Sequence, residues 1–173
     1  MDQNFKKREM VHIDNTNFIY RKNFSGDPSK DKYGNSARRA NIIIPTFEEA
    51  QYISSLGIGV KETKPRDGEE EGFKPVYYMP VIVNYDSSVA KSRPPMVYLV
   101  TGNKKPVLLD EDTIGLVDQA YVVNVKASIE IVYLAKYDRY AAYVRTMYVF
   151  QDDDDDPWAA EFEDRFGGDN YEV

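Results

Sequence analysis

The chain has no cysteine, a single histidine and a single tryptophan in 173 residues. Without thiols there is no disulfide scaffold, no zinc-thiolate site and no cysteine nucleophile, and the composition suits a reducing compartment. A Ser-His-Asp arrangement has to run through His12, which lies in an expected strand where a hydrogen-bonded structural role is the simpler reading. No GxxxxGK[ST] or GxGxxG phosphate cradle occurs, and Gly57-Ile58-Gly59 reads as a helix stop. Asp110-Glu111-Asp112 invites a calcium reading, but Ile114 falls where that loop needs an oxygen ligand, so the acids read as a helix start. Long apolar runs are missing too. None approaches the roughly 20 residues of a membrane span, and residues 1–10 lack the apolar region of a signal peptide. These absences leave a non-enzymatic protein of the cytoplasm, without cofactor, metal site or membrane contact, as the expectation.

Charge is abundant and unevenly placed. The chain carries 22 basic and 29 acidic residues, net −7. Residues 152–173 hold ten acids, five of them consecutive from Asp152 to Asp156, against the lone Arg165, which makes −9. Residues 1–151 therefore hold 21 basic and 19 acidic residues, net +2. A run of this kind cannot bury its charges and repels itself, so a disordered, solvated arm is expected there. Trp158, Phe162 and Phe166 recur every four residues within it. Helical spacing would put the three rings on one face, suited to an apolar pocket rimmed by cations on a partner protein or on this one. The expected division is a domain over 1–151 and an acidic, aromatic-bearing tail over 152–173.

The body reads as mainly β. Strands are expected at 11–20, 39–44, 58–64, 76–85, 96–101, 106–109, 121–133 and 141–150, from runs rich in β-branched and aromatic residues. Pro80 implies an edge position or a bulge in the 76–85 strand. In 121–133 the alternation places Val123, Val125, Ala127, Ile129 and Ile131 on one face. In 141–150 it groups Ala142, Val144, Tyr148 and Phe150 against Tyr143, Arg145 and Met147. Thr46 and Glu49 form a capping box for a helix over 47–56, and a second short helix is expected within 110–120. With no strand-helix alternation, these elements describe an antiparallel, OB-like barrel with two short helical insertions.

One constellation points to chemistry. Tyr20, Arg21, Lys22 and Phe24 lead into a long Gly, Ser, Asp and Lys loop carrying Lys30, Lys32 and Tyr33 and ending at Arg38 and Arg39. A loop of that length inside a compact domain favours function over mere linkage. Cations interleaved with aromatics are what an unpaired nucleic-acid strand requires: Lys and Arg follow phosphates, and exposed rings stack on bases for about 1 to 3 kcal/mol each. Lys61, Lys64 and Arg66 form a second cationic group. Lys126, Arg139 and Arg145, with Tyr143 beside them, form a third.

The stretch IDNTNFIYRKNFSGDPSKDKYGNSARRANIII, with Lys64-Pro65-Arg66, Leu109-Asp110-Glu111 and Thr146-Met147-Tyr148-Val149, resembles the phage single-stranded DNA-binding proteins. Lys22 separates Arg21 from Asn23, Ala40 separates Arg39 from Asn41, and Ile82 stands where that pattern has a lysine. The resemblance implies an OB fold, coating of single-stranded DNA during replication, recombination or repair in the infected bacterial host, and an acidic tail that recruits replication proteins such as a polymerase or helicase. A homodimer is left open. The competing reading is another kind of non-enzymatic interaction protein, an acidic DNA mimic or a phage assembly component.

Overall fold

A computed structural model describes residues 9–86 and 94–152. Among the described residues, nine strands and two short helices follow one another as β1 (Glu9–Thr16), β2 (Phe18–Asn23), β3 (Arg38–Ile44), α1 (Phe47–Ser55), β4 (Lys61–Glu62), β5 (Tyr77–Val83), β6 (Met96–Thr101), β7 (Val107–Leu109), α2 (Leu116–Gln119), β8 (Val122–Leu134) and β9 (Arg139–Gln151). Neighbours along the sheet run β1-β8-β9-β5-β3-β2, with β4 on β5 and the β6-β7 hairpin on β9. The two ends of this path, β1 and β2, are consecutive in the chain. Asn17 alone lies between them. Their junction turns at Asn15, whose φ is +52°, and is tied to β3 by Thr16 Oγ1 donating to the Ile43 carbonyl at 2.6 Å and Ile43 N to the Asn17 carbonyl at 2.9 Å. The first segment thus serves both ends of a sheet that curls back on itself.

Period-two patterning explains the interior. β3 buries Ala40, Ile42 and Ile44, β5 buries Met79, Val81 and Val83, and β8 buries Val125, Ala127, Ile129 and Ile131 around one core. Each large side chain so buried contributes about 1.5–3 kcal/mol, and a one-residue slip would turn the set to solvent, so register is strongly specified. Thr46 Oγ1 accepts from Glu49 N at 3.1 Å to start α1. Gly57, at φ +104°, ends it where the Tyr140 ring leaves no room for a Cβ.

Several expectations need correction. The sheet is mixed, since β5 and β6 both run parallel to β9, and among the described residues it is not closed. β5 is interior to the sheet rather than an edge strand; Pro80 is tolerated because, on the side away from β3, β4 pairs only as far as Tyr78 and β9 meets only Ile82. A register shift between Val122 and Asn124 turns Val123 outward and Val122 inward. A second shift, opposite Ser128 and Ile129, makes Arg145 the extra residue of β9, so Ala142, Val144, Met147 and Val149 face the core while Tyr148 and Phe150 face away. The expected strand over 58–64 shrinks to Lys61–Glu62.

Candidate nucleic-acid interface

The alternation that buries one face of β3 and β5 turns Arg39, Asn41 and Ile43, with Tyr78, Pro80 and Ile82, to the other. Arg39 pairs with Ile82, Asn41 with Pro80 and Ile43 with Tyr78. Beside this face runs β2, which is irregular. Tyr20 has φ +65°, unusual for a residue with a Cβ, and register is lost between Ile19 and Asn23. A regular strand would send consecutive side chains to opposite faces. Here Tyr20, Arg21 and Lys22 all line one cleft of about 570 Å³, together with Lys30 and Asp118. Arg21 and Lys30 are shared with an adjoining cleft of about 360 Å³ that adds Asp31, Arg39, Lys61 and Pro80. Four cations against the one carboxylate of Asp31 give that cleft a net charge of +3.

The β2-β3 loop is held in place from a distance. Asp118, on α2 with its side chain 2 % exposed, accepts from Phe24 N at 2.7 Å, Ser25 N at 3.0 Å and Lys30 Nζ at 3.2 Å. Burial works to raise its carboxyl, but the two amides, the Ser25 hydroxyl and the Lys30 ammonium outweigh it and hold it below the usual carboxylate range. Asn23, itself buried, donates to the Asp27 carbonyl at 3.0 Å and accepts from Asp27 N at 3.0 Å. Asp31 accepts from the amides of Asn35 and Tyr33, both at 2.9 Å, and from Arg39 Nη2. The Asn35 amide, then Arg39 and the Tyr33 amide, hold its carboxyl low. Among the described residues only one Arg39 donor is engaged, so the guanidinium keeps most of its fork for an incoming anion.

Lys22 is half-buried beside this cleft, over the Phe18 ring at 5.9 Å and 3.4 Å from the Ala120 carbonyl. Desolvation lowers its pKa against the opposing pull of Asp118. Tyr20 is 62 % exposed and meets Tyr78 edge-on at 5.3 Å. Its hydroxyl is raised first by desolvation and then by Tyr78, against the lowering charge of Arg66, which places Arg66 within electrostatic reach. Tyr33, with Lys32 5.6 Å from its ring centre, projects from the loop tip at 84 % exposure.

The structure therefore brings Tyr20, Arg21, Lys22, Lys30, Arg39 and Lys61 together, with Arg66 nearby. It separates others. Lys64 pairs with Glu62 at 3.5 Å on the exposed segment after β4. Arg38 and Tyr143 line a different cleft at the end of β3 and β5. Lys126 lies over Phe150 at 5.8 Å on β8, and Arg145 donates to Glu130 at 2.7 Å with only 18 % of its side chain exposed. Trp158, Phe162 and Phe166 lie outside the described residues. Tyr78, Asn41 and Pro80 are on the face, although no sequence signal singles them out. The same holds for the parallel-stacked pair Tyr98 and Tyr148, with ring centres 4.7 Å apart, in register with Lys126 on the outer side of β6, β9 and β8.

Phe24 is corrected outright. It is fully buried, edge-on to Phe18 at 5.4 Å, and unavailable to a base. Phe24→Ala is expected to cost about 3–5 kcal/mol of stability, as other buried Phe truncations do, whereas Tyr33→Ala leaves thermal denaturation unchanged and weakens oligonucleotide binding. Equal melting temperatures for the two variants would return Phe24 to the surface.

Comparison with known proteins agrees with this chemistry. No curated protein matches the sequence. The crystal structure of gp2.5, a single-stranded DNA binding protein encoded by bacteriophage T7, superposes over 90 % of this chain and 95 % of that one, at 9 % identity and a TM-score of 0.38, too distant to carry any residue across. The family described as "Putative phage ssDNA-binding domain" matches residues 1–162, nearly the whole length. The chain belongs to that family of phage single-stranded DNA-binding domains.

Proposed function

We propose that the protein coats single-stranded DNA by running the phosphates through the joined clefts of Arg21, Lys30, Arg39 and Lys61 while bases stack on Tyr20 and on rings farther along the same face. The observation that carries this is the irregular β2, which aims three consecutive residues, one aromatic and two cationic, into a single cleft. Phosphate contacts fix the path and aromatic stacking rewards unpaired bases whatever their identity. The role is non-enzymatic and belongs to replication, recombination or repair in the cytoplasm of the infected bacterium. The acidic tail over 152–173 recruits replication proteins through Trp158, Phe162 and Phe166 and competes with DNA for the cationic clefts. An acidic DNA mimic fits poorly with a cleft of net +3.

Titration of fluorescent oligo-dT and of duplex of equal length, with the full chain and with a chain ending at Gln151, tests these points. Oligo-dT is expected to bind the tighter, with a log-log salt slope of about −0.7 per phosphate neutralised. The shortened chain is expected to bind tighter still, most at low salt. Equal affinity for both nucleic acids removes the stacking half of the reading, a flat salt response removes the electrostatic half, and unchanged affinity on shortening removes the competition.

A further inference from the structure

Beside the phosphate clefts lies a separate cleft of about 400 Å³ at the end of β3 and β5. It is lined by Ile82 and Tyr143, which pair across β5 and β9, and by Arg38, Tyr85, Asp86 and Glu111. Arg38 and Arg39 are consecutive residues of a strand. They diverge, Arg39 toward Asp31 and the phosphate path, Arg38 over the Tyr85 ring with its guanidinium 5.7 Å from the ring centre.

Three observations say what this cleft suits. Among the described residues its one cation, Arg38, is accompanied by two carboxylate residues, Asp86 and Glu111, so it does not suit a phosphate. Its walls include two tyrosine rings and Ile82, so it accepts a flat apolar surface. Two of its polar atoms, Arg38 Nε and the Tyr85 hydroxyl, are shielded from water without a hydrogen-bond partner among the described residues. Orphaned donors of this kind carry a desolvation penalty that an acceptor removes. Burial, aided by the charges of Asp110 and Glu111 and opposed by Arg38, pushes the Tyr85 hydroxyl up to about 12, so it remains protonated and able to donate. Arg38 Nη2 meanwhile holds the Glu111 carbonyl at 3.2 Å, which anchors the fork without using Nε.

We propose that one base of the bound strand leaves the stack and enters this cleft, where Arg38 and Tyr85 donate to an acceptor edge and select guanine. Guanine alone presents O6 and N7 side by side to an arginine fork, and its N1 and N2 hydrogens are complementary to the charge of Glu111, which reaches Tyr85. Insertion requires the guanidinium to slide off the Tyr85 ring, which brings Nε to its acceptor. A largely sequence-tolerant coat would thereby gain one preferred register on DNA. This rests on the single-stranded DNA reading above.

The test uses the full chain and competition between a dT oligonucleotide and the same oligonucleotide carrying one central dG or dA. The dG strand is expected to bind about tenfold tighter than dT, within the range for one bidentate arginine contact, and dA to show no such gain. In Arg38→Lys the dG-to-dT ratio is expected to fall to about one, with the melting temperature reporting that the fold persists. In Tyr85→Phe, which retains the ring and removes the hydroxyl, the ratio is expected to fall without vanishing. Binding of dT with no dG gain overturns the base site and leaves the coating role intact. No binding to any oligonucleotide overturns both. An equal gain with dA overturns guanine selection, and an unchanged ratio in Arg38→Lys overturns Arg38 as its reader.

Discussion

Asp118→Ala is expected to lower the melting temperature by about 10 °C and to weaken oligonucleotide binding, although Asp118 is neither on a long element nor exposed. The carboxylate is the shared acceptor for Phe24 N, Ser25 N and Lys30 Nζ. Removing one member of a buried charged pair costs about 3–5 kcal/mol because its partners stay desolvated, and at this chain length each kcal/mol moves the midpoint by about 2–4 °C. Binding suffers because the loop that carries Lys30 and Asp31 loses its fixed start, and with it the spacing of the clefts. Asp118→Asn is expected to rescue little, since its amide nitrogen sets a donor either against the Phe24 amide or against the Ser25 amide and the Lys30 ammonium together. Acid acts in the same direction. The Asp118 carboxyl is depressed in the fold, so its stabilisation is complete above the ordinary carboxylate value of about 4 and is lost as pH falls through the lower folded value. A midpoint within a degree or two of the parent would show that α2 does not hold the loop.

The second large effect is electrostatic. Replacing Arg21, Arg39 and Lys61 together by alanine is expected to flatten the log-log salt dependence of oligo-dT binding by about 2, at about 0.7 for each phosphate no longer neutralised, and to reduce low-salt affinity about a hundredfold. Arg21 and Lys61 are exposed and the Arg39 side chain is 43 % exposed, so thermal stability should change little. Salt titrations of parent and variant side by side decide the matter. A weaker affinity with an unchanged slope would mean that these cations support the surface without touching phosphates.

Much of this was legible in the chain. The alternation in β8 marked Val125, Ala127, Ile129 and Ile131 as its buried face, Thr46 and Gly57 bracketed α1, and cations mixed with aromatics around a Gly and Ser loop marked Tyr20, Arg21, Lys30 and Arg39. What escaped has definite physical causes. A bulge adds one residue without altering composition, so the reversal of facing after Arg145 could not be read from period two. The parallel placement of β5 and β6 on β9 is a choice of partner over some fifty to sixty residues of sequence, which local propensity does not encode. Phe24 sits between polar neighbours, Asn23 and Ser25, in a polar stretch. Its burial depends on Asp118, 94 positions away, capturing its amide. Tyr78 and Asn41 look like ordinary strand residues because nothing local says which face of a strand another element will cover.

β9 forms ladders with β8, β5 and β6, and β1 pairs with β8 alone among the described residues. During synthesis the first strand emerges more than a hundred residues before its partner does. β1 must therefore wait, with Val11 and Ile13 uncovered, until the β8-β9 hairpin has left the ribosome; that hairpin, turning tightly through Ala135–Tyr137 and the left-handed Asp138, then assembles from neighbouring residues, as β6-β7 does before it. The molecule is thus completed from its carboxyl end, and a nascent chain stalled before residue 122 leaves its first strand without the β8 ladder it joins.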